Sequence, residues 1–299
     1  MTMRFLLIGG AGQVGAELRA LPRPQGVEIS APTRAELDLT DARAITRMVA
    51  EERWSAVINA AAYTEVDRAE SEEETAFAVN AQAPSQLAAE TAKRGIPLIH
   101  ISTDYVFNGR KGAPYAESDG TDPVNAYGRS KLAGETGVRD ANPQHIILRT
   151  SWVYSPYRKN FVKTILRLAT ERDRLTVVAD QRGCPTAAHD IAKACLDMAI
   201  ASGSRPERAS YGTYHFAGAG EASWFDFAVA IVAIASGRLG RSPEVAPLKT
   251  SEYPTAAARA PDTRLDCTAV ARAFGINPRP WRESLETTID RLITTRNFA

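Results

Sequence analysis

Cysteine is scarce. The 299 residues hold three, Cys184, Cys195 and Cys267, an odd number with no Cys-x-x-Cys pair, so neither a disulfide framework nor a thiolate metal site is expected and a reduced, cytoplasmic setting fits. Long hydrophobic runs are lacking too. The most continuous apolar stretch, Phe227 to Ala235, falls far short of the ~20 residues that cross a bilayer, and Met1 to Arg4 leads directly into a strand pattern. No signal peptide, anchor or membrane partner is therefore expected. Charge of one sign is missing as well: 36 Lys+Arg against 35 Asp+Glu leave a net +1, without the positive excess that would draw the chain to nucleic acid. No internal repeat and no low-complexity segment interrupts the sequence.

What is present has the proportions of a compact globular protein, 44% hydrophobic and 24% charged. Short β-branched apolar runs alternate with longer helical stretches through the first half. Five strands are expected at Arg4–Ile8, Val27–Ser30, Ala56–Asn59, Leu98–Ser102 and Ile146–Thr150, nearly all apolar, as strands covered on both faces require. Helices are expected from Gln13, from Asp41 to Glu52, twice between Val66 and Arg94, and from Asn125 to Arg139. The fold class is α/β: a Rossmann-type doubly wound parallel sheet with a second, smaller α/β substrate lobe. Residues 1–155 form the dinucleotide-binding unit and 156–299 the substrate lobe. The two interleave, because a helix near 187–202 and a strand near 211–218 are expected to return to the first sheet. Further helices read at Phe161–Glu171 and Trp224–Ser236. The proline- and alanine-rich Pro243–Pro261 is either an ordered loop near a site or merely irregular.

The chemistry begins at Phe5-Leu6-Leu7-Ile8-Gly9-Gly10-Ala11-Gly12-Gln13-Val14-Gly15, a buried strand running through a glycine turn into a helix. Both Gly10-x-Gly12-x-x-Gly15 and Gly9-x-x-Gly12-x-x-Gly15 fit. In either, missing side chains let backbone approach a pyrophosphate at the positive end of the helix dipole. Gly9, Gly10, Gly12, Gln13 and Val14 are therefore candidate cofactor contacts. After the second strand, where an acidic residue commonly accepts from the ribose 2′-hydroxyl, Thr33-Arg34 stands instead. A guanidinium suits a 2′-phosphate, so NADP(H) is expected ahead of NAD(H), which stays open as an accepted alternative. Asp38 and Leu39 face the adenine, or Asp38 merely helps start the following helix.

Tyr127-x-x-x-Lys131 places a phenol and an ammonium on one face of a helix start. A hydride-transfer enzyme needs a phenol that readily gives a proton, and the lysine charge is expected to make it more acidic. Thr103, at the carboxyl end of the fourth strand, is the hydroxyl partner, at a reversal of strand order expected between the first and fourth strands. Its alternative is a turn cap.

With Asn59-Ala60-Ala61-Ala62-Tyr63-Thr64, Ser102-Thr103-Asp104-Tyr105-Val106-Phe107, Arg149-Thr150-Ser151-Trp152-Val153-Tyr154 and Asp180-Gln181-Arg182-Gly183-Cys184-Pro185-Thr186 added to these motifs, the chain resembles the extended short-chain dehydrogenase/reductases. Within them it resembles the dTDP-4-dehydrorhamnose reductase family over nearly its whole length. The resemblance implies that Tyr127 donates a proton, that Lys131 is its electrostatic partner and a nicotinamide-ribose ligand, and that Thr103 is the third catalytic group. It implies that Asp104 and Trp152 contact the deoxysugar, Trp152 through a ring face, that Ala60, Ala61 and Ala62 line the adenine and ribose side, and that Asn80 supports the Lys131 network. The implied reaction is NADPH-dependent reduction of the C4 keto group of dTDP-4-dehydro-L-rhamnose to dTDP-L-rhamnose. An epimerase or dehydratase of the same superfamily, and a non-catalytic NADP-binding regulatory subunit, are the alternatives. Some members hold Mg²⁺ with glutamates at a subunit contact. Here Glu17 matches one such place, but His189-Asp190 and Arg291 stand near the others, so no metal is expected, and the chain is expected to be a monomer or weak homodimer.

Overall fold

A computed structural model describes residues 2–295; Met1, ahead of the first strand, and residues 296–299 of the expected second lobe lie outside the described residues. β1 (Met3–Ile8) passes through the glycine turn into α1 (Gln13–Ala20), followed by β2 (Val27–Ser30), α2 (Ala42–Glu51) and β3 (Ala56–Asn59). The two helices expected between Val66 and Arg94 are one helical path. α3 (Glu73–Phe77) continues through a π-helical turn at Ala78–Gln82 into α4 (Ala83–Ala92). Then come β4 (Leu98–Thr103), α5 (Ala126–Ala141) and β5 (His145–Thr150). The second half contains β6 (Val153–Tyr154), α6 (Phe161–Glu171), β7 (Arg174–Val178), β8 (Arg182–Gly183), β9 (Thr186–Ala187), α7 (Ala188–Ser204), β10 (Gly212–His215), β11 (Ala222–Ser223), α8 (Trp224–Leu239), β12 (Glu244–Leu248), α9 (Thr268–Phe274) and α10 (Trp281–Thr295).

The central sheet is Rossmann-type: six strands, all parallel, in the order β2-β1-β3-β4-β5-β10. Strand order reverses between β1 and β3. The expected reversal between the first and fourth strands is therefore corrected: β3 lies between them, pairing Ile58 with Leu7 on one side and with Ile99 on the other. Alternate apolar residues serve the two faces, as burial on both sides demands. Phe5, Leu7, Ile58, Ile99 and Leu148 pack with Leu18 of α1 and Ile191 and Met198 of α7. Leu6, Ile8, Val57, Leu98 and Ile147 pack with Ile45 of α2, Leu87 of α4 and Val138 of α5.

A separate apolar cluster joins Val162, Ile165 and Leu166 of α6, Phe227 and Ile231 of α8, and Leu285, Ile289 and Leu292 of α10. Pro243–Pro261 is not one loop, since β12 lies within it and pairs in parallel with β7. Pro247, which cannot donate to a ladder, disguises that strand.

Candidate active site

The glycine turn is built by close approach. Gly9 has φ +84°, and a Cβ there would lie 2.5 Å from Ala61 N; a Cβ on Gly15 would lie 2.2 Å from Gly9 O. Gly10 is less constrained, its nearest contact being a side-chain carbon at 3.0 Å. The Gly9/Gly12/Gly15 spacing is thus the one that sterics require. Gly12 starts α1 without a side-chain cap, so the first-turn N–H groups at Gln13 and Val14 are free of one. Gln13 is braced from its side chain, where Oε1 accepts from Ser155 Oγ at 2.9 Å and Asn160 Nδ2 at 3.1 Å. Ala60, Ala61 and Ala62 are half-buried beyond β3, against Gly9. A cradle of bare backbone beside an uncapped helix start fits a dinucleotide phosphate.

Arg34 lies exposed in the turn after β2. Asp38 is also exposed, and its carboxylate accepts from Thr40 N at 2.9 Å and Thr40 Oγ1 at 2.8 Å. Those bonds hold it below the ordinary carboxylate range and place it in a local turn ahead of Asp41, the true cap of α2. Leu39 packs partly against the core beneath α2.

At the carboxyl ends of β4 and β5 the sheet carries the polar cluster. Asn125 caps α5, accepting from Gly128 N at 2.8 Å, and so fixes the turn that carries Tyr127. The Tyr127 ring is buried edge-on to Tyr105, with centroids 5.4 Å apart. Burial pushes its phenol well above the ordinary value, against the opposing effect of the Thr103 hydroxyl. Tyr127 is therefore a neutral acid across the physiological range. Thr103 Oγ1 accepts from Tyr105 N at 3.2 Å and donates to Asp104 Oδ1 at 3.1 Å, combining the cap and the hydroxyl partner in one side chain.

Lys131 differs from expectation. Its Nζ donates to Ile101 O at 2.7 Å and lies 3.4 Å from His100 Nε2, so the side chain turns under β4. Burial is the largest influence on the Tyr127 phenol, and the nearby Asp104 and Tyr105 push in the same direction. The phenol is not made acidic by Lys131 in this state; burial raises it instead. Burial also lowers Lys131 to about 8, with Glu135 opposing.

Asn80, fully buried on the π-helical turn, receives Tyr63 N at 2.8 Å and donates to Tyr63 O and Ser130 Oγ, both at 3.0 Å. It ties the end of the alanine run to α5 at Ser130, the residue before Lys131, and among the described residues makes no bond to Lys131 itself.

Asp104 is 1% exposed. Besides Thr103, its carboxylate accepts from Ser151 Oγ at 3.1 Å and Thr263 Oγ1 at 2.5 Å. Burial raises it to about 6 despite these three hydroxyls. Its immediate partners are thus protein groups, and it joins β4, β5 and the 262–264 segment at one point. Trp152 follows β5 with left-handed backbone, φ +45°, and its ring stacks on Trp224 with centroids 3.6 Å apart and planes 6° from parallel. One ring face is therefore covered by Trp224, and Gly183 also lies against the indole, where a Cβ would fall 2.4 Å from Trp152 Cε2.

These rings line a narrow cleft with Tyr105, Gln181, Arg182, Arg259 and Thr263. Arg259 donates from Nη2 to Asp67 at 2.8 Å, while its Nη1 is buried without a partner among the described residues. The unmet donor is ready for an anionic ligand.

The family model for the RmlD substrate binding domain matches residues 3–294. The chain belongs to this family. A curated relative, dTDP-4-dehydrorhamnose reductase of Sinorhizobium fredii, is 45% identical over 282 residues, covering 94% of this chain and 95% of its own. The crystal structure of dTDP-4-dehydrorhamnose reductase from Bacillus anthracis in complex with NADP is 36% identical, with TM-score 0.90 over 97% of this chain and 100% of that one. The UDP-Glc/GlcNAc 4-epimerase of Campylobacter jejuni, at 19% identity and TM-score 0.76, over 96% of this chain and 98% of that one, shares the fold alone.

In this family member the buried Glu17 accepts from Arg291 Nη1 at 2.7 Å and meets His189 Nδ1 at 3.3 Å. Although burial works to raise it, these two partners hold its carboxyl below the ordinary range. Its oxygens are thus engaged within the chain, and among the described residues no cluster of three or more His, Cys, Asp or Glu could hold a metal. Likewise, no helix there is long and apolar enough to cross a membrane. Motif reading assigned no role to His100, Trp224 or Arg259. The aromatic at 224 had a signal, its position at the N-terminus of a strongly apolar helix, but its partner at 152 is 72 residues away.

Proposed function

We propose that this chain is an NADP-dependent oxidoreductase that reduces the C4 keto group of dTDP-4-dehydro-L-rhamnose to give dTDP-L-rhamnose, with Tyr127 as proton donor. The observation that carries the reading is the buried phenol of Tyr127 beside Thr103 at the mouth of β4, in a chain of this family. When bound, the reduced nicotinamide supplies hydride to C4. Thr103 and Tyr127 then hold the sugar oxygen, and Tyr127 gives its proton to the alkoxide that hydride addition creates. Burial keeps the phenol protonated until that anion forms. Lys131, one helical turn along, would supply positive charge to the resulting phenolate and would help hold the nicotinamide ribose once the cofactor is bound.

The glycine cradle with Gln13 and Val14 would take the pyrophosphate, Ala60–Ala62 the adenosine side, and Arg34 the 2′-phosphate. Trp152 and Trp224 would meet the sugar or base, and the free Nη1 of Arg259 the substrate diphosphate. Residues 1–155, with the return segments α7 and β10, form the dinucleotide unit, and 156–299 the interleaved substrate lobe. Cytoplasmic residence and a monomer or weak homodimer complete the proposal.

Purified protein given NADPH and dTDP-4-dehydro-L-rhamnose should oxidise one NADPH per dTDP-L-rhamnose formed. Bound NADP without turnover would instead favour the regulatory reading, and product without net oxidation the epimerase. Cofactor choice rests on Arg34. A guanidinium–phosphate pair at an exposed site contributes about 1–3 kcal/mol, so Arg34→Ala should raise KM for NADPH about 5- to 150-fold. KM for NADH should be nearly unchanged; an equal effect on both cofactors would remove Arg34 from the site.

A further inference from the structure

Beneath Lys131 lies a buried polar chain that the mechanism above leaves unused. His100 is 0% exposed on β4, with Nε2 3.4 Å from Lys131 Nζ and Nδ1 3.1 Å from Asn59 Nδ2. Asn59, 2% exposed at the end of β3, has its orientation set by a third contact: its Oδ1 accepts from Ala61 N at 3.2 Å. Its amide nitrogen must then face His100. Ala61 in turn lies against Gly9. The chain Lys131–His100–Asn59–Ala61 therefore connects the catalytic helix to the glycine cradle through three buried side chains and the backbone N–H of the half-buried Ala61.

Donors and acceptors along this chain can be counted. Burial, with the nearby charge of Lys131, drives His100 far toward its neutral form, and a neutral imidazole has one N–H and one accepting nitrogen. Asn59 donates into Nδ1, so the ring proton sits on Nε2 and points at Nζ. An ammonium there has only donors to offer and meets the ring N–H head-on. An amine offers its lone pair to the ring N–H and keeps its own N–H for Ile101 O. Both nitrogens then have a partner, with one amine N–H left over, whereas the ammonium leaves the ring N–H and two of its own N–H groups without an acceptor among the described residues.

We infer that His100 is a positioning residue, holding Lys131 Nζ beneath the active site and favouring its amine form through a donor chain anchored by Asn59. The opposing influence is Glu135, one turn further along α5, whose carboxylate favours the ammonium. That carboxylate is itself bound by Arg149 of β5, Ser102 of β4 and Arg139 of α5, which limits its pull. Lys131 is thereby set to change charge near the working pH.

The inference rests on the proposed reductase reading, in which the ammonium supports the phenolate. The test is the pH profile of kcat/KM with the full chain, NADPH and the keto sugar, and wild-type turnover alone decides the parent reading. The wild-type rate should fall near pH 8, following Lys131. His100→Gln turns an amide oxygen toward Nζ and satisfies the ammonium. Asn59→Ala frees the ring proton to move to Nδ1, so that Nε2 accepts from Nζ. Both variants should move the alkaline limb upward by about one pH unit, a tenfold change in the Lys131 proton affinity. His100→Leu, which offers neither donor nor acceptor, should lower kcat at least tenfold with a smaller effect on KM for NADPH. A merely structural histidine would lower the unfolding midpoint and leave the limb in place. If one of the first two variants fails to fold, the other decides, and a folded variant with its limb at the wild-type pH overturns the inference.

Discussion

Tyr127→Phe should leave a folded protein that binds NADPH and turns over about 10²–10⁴ times more slowly, the usual worth of a positioned general acid. The ring sits edge-on to Tyr105 in a buried site, and phenylalanine keeps that packing while deleting the hydroxyl. Only the donor to the alkoxide disappears. A structural tyrosine would give the opposite pattern, a lower unfolding midpoint with unchanged turnover per folded molecule. Measuring kcat beside the midpoint separates the two outcomes.

Glu135→Ala should be the most destabilising single change near the site. Glu135 is 0% exposed and binds Arg149, itself 3% exposed, through two bonds of 2.9 and 2.7 Å. Removing the carboxylate strands a guanidinium in the core, which costs about 3–5 kcal/mol. For a chain of this length the midpoint should fall by roughly 5–8 °C. Replacing both partners, Glu135→Leu with Arg149→Met, should recover part of that loss because no buried charge is left unpaired. Although burial works to raise Glu135, the Arg149 and Ser102 bonds hold its carboxyl below the ordinary value of 4.5. Its stabilising contribution is therefore fully present above about pH 4.5 and lost as pH falls through the lower folded value. The alanine variant should lack that component of the acid transition; an unchanged midpoint and acid profile would show that the pair contributes little.

The parallel sheet was readable in advance because four of its five main strands are largely apolar runs, the edge strand β2 (Val-Glu-Ile-Ser) being the exception, and each needs a crossover helix. Tyr127, Lys131 and the glycine turn were readable because their spacing is local. What escaped depends on contacts distant in sequence. The place of β3 between β1 and β4 is decided by pairing, and β7 and β12, at Arg174–Val178 and Glu244–Leu248, find each other across about 70 residues. The spacing of Tyr127 and Lys131 places them on one helix face, yet says nothing of the pull exerted by Ile101 O and His100 from beneath. Its motif implies that Asp104 contacts the sugar. Its engagement by Ser151 and Thr263 is visible only once three segments meet.

In the proposed reaction hydride passes to C4 of the sugar while Tyr127 protonates the oxygen. Wild-type protein incubated with NADPH deuterated at the transferring C4 position and dTDP-4-dehydro-L-rhamnose should yield dTDP-L-rhamnose carrying one deuterium at sugar C4, seen by NMR and mass spectrometry, and Tyr127→Phe should form it about 10²–10⁴ times more slowly. Product without deuterium at C4, or equal rates from the two proteins, would contradict it.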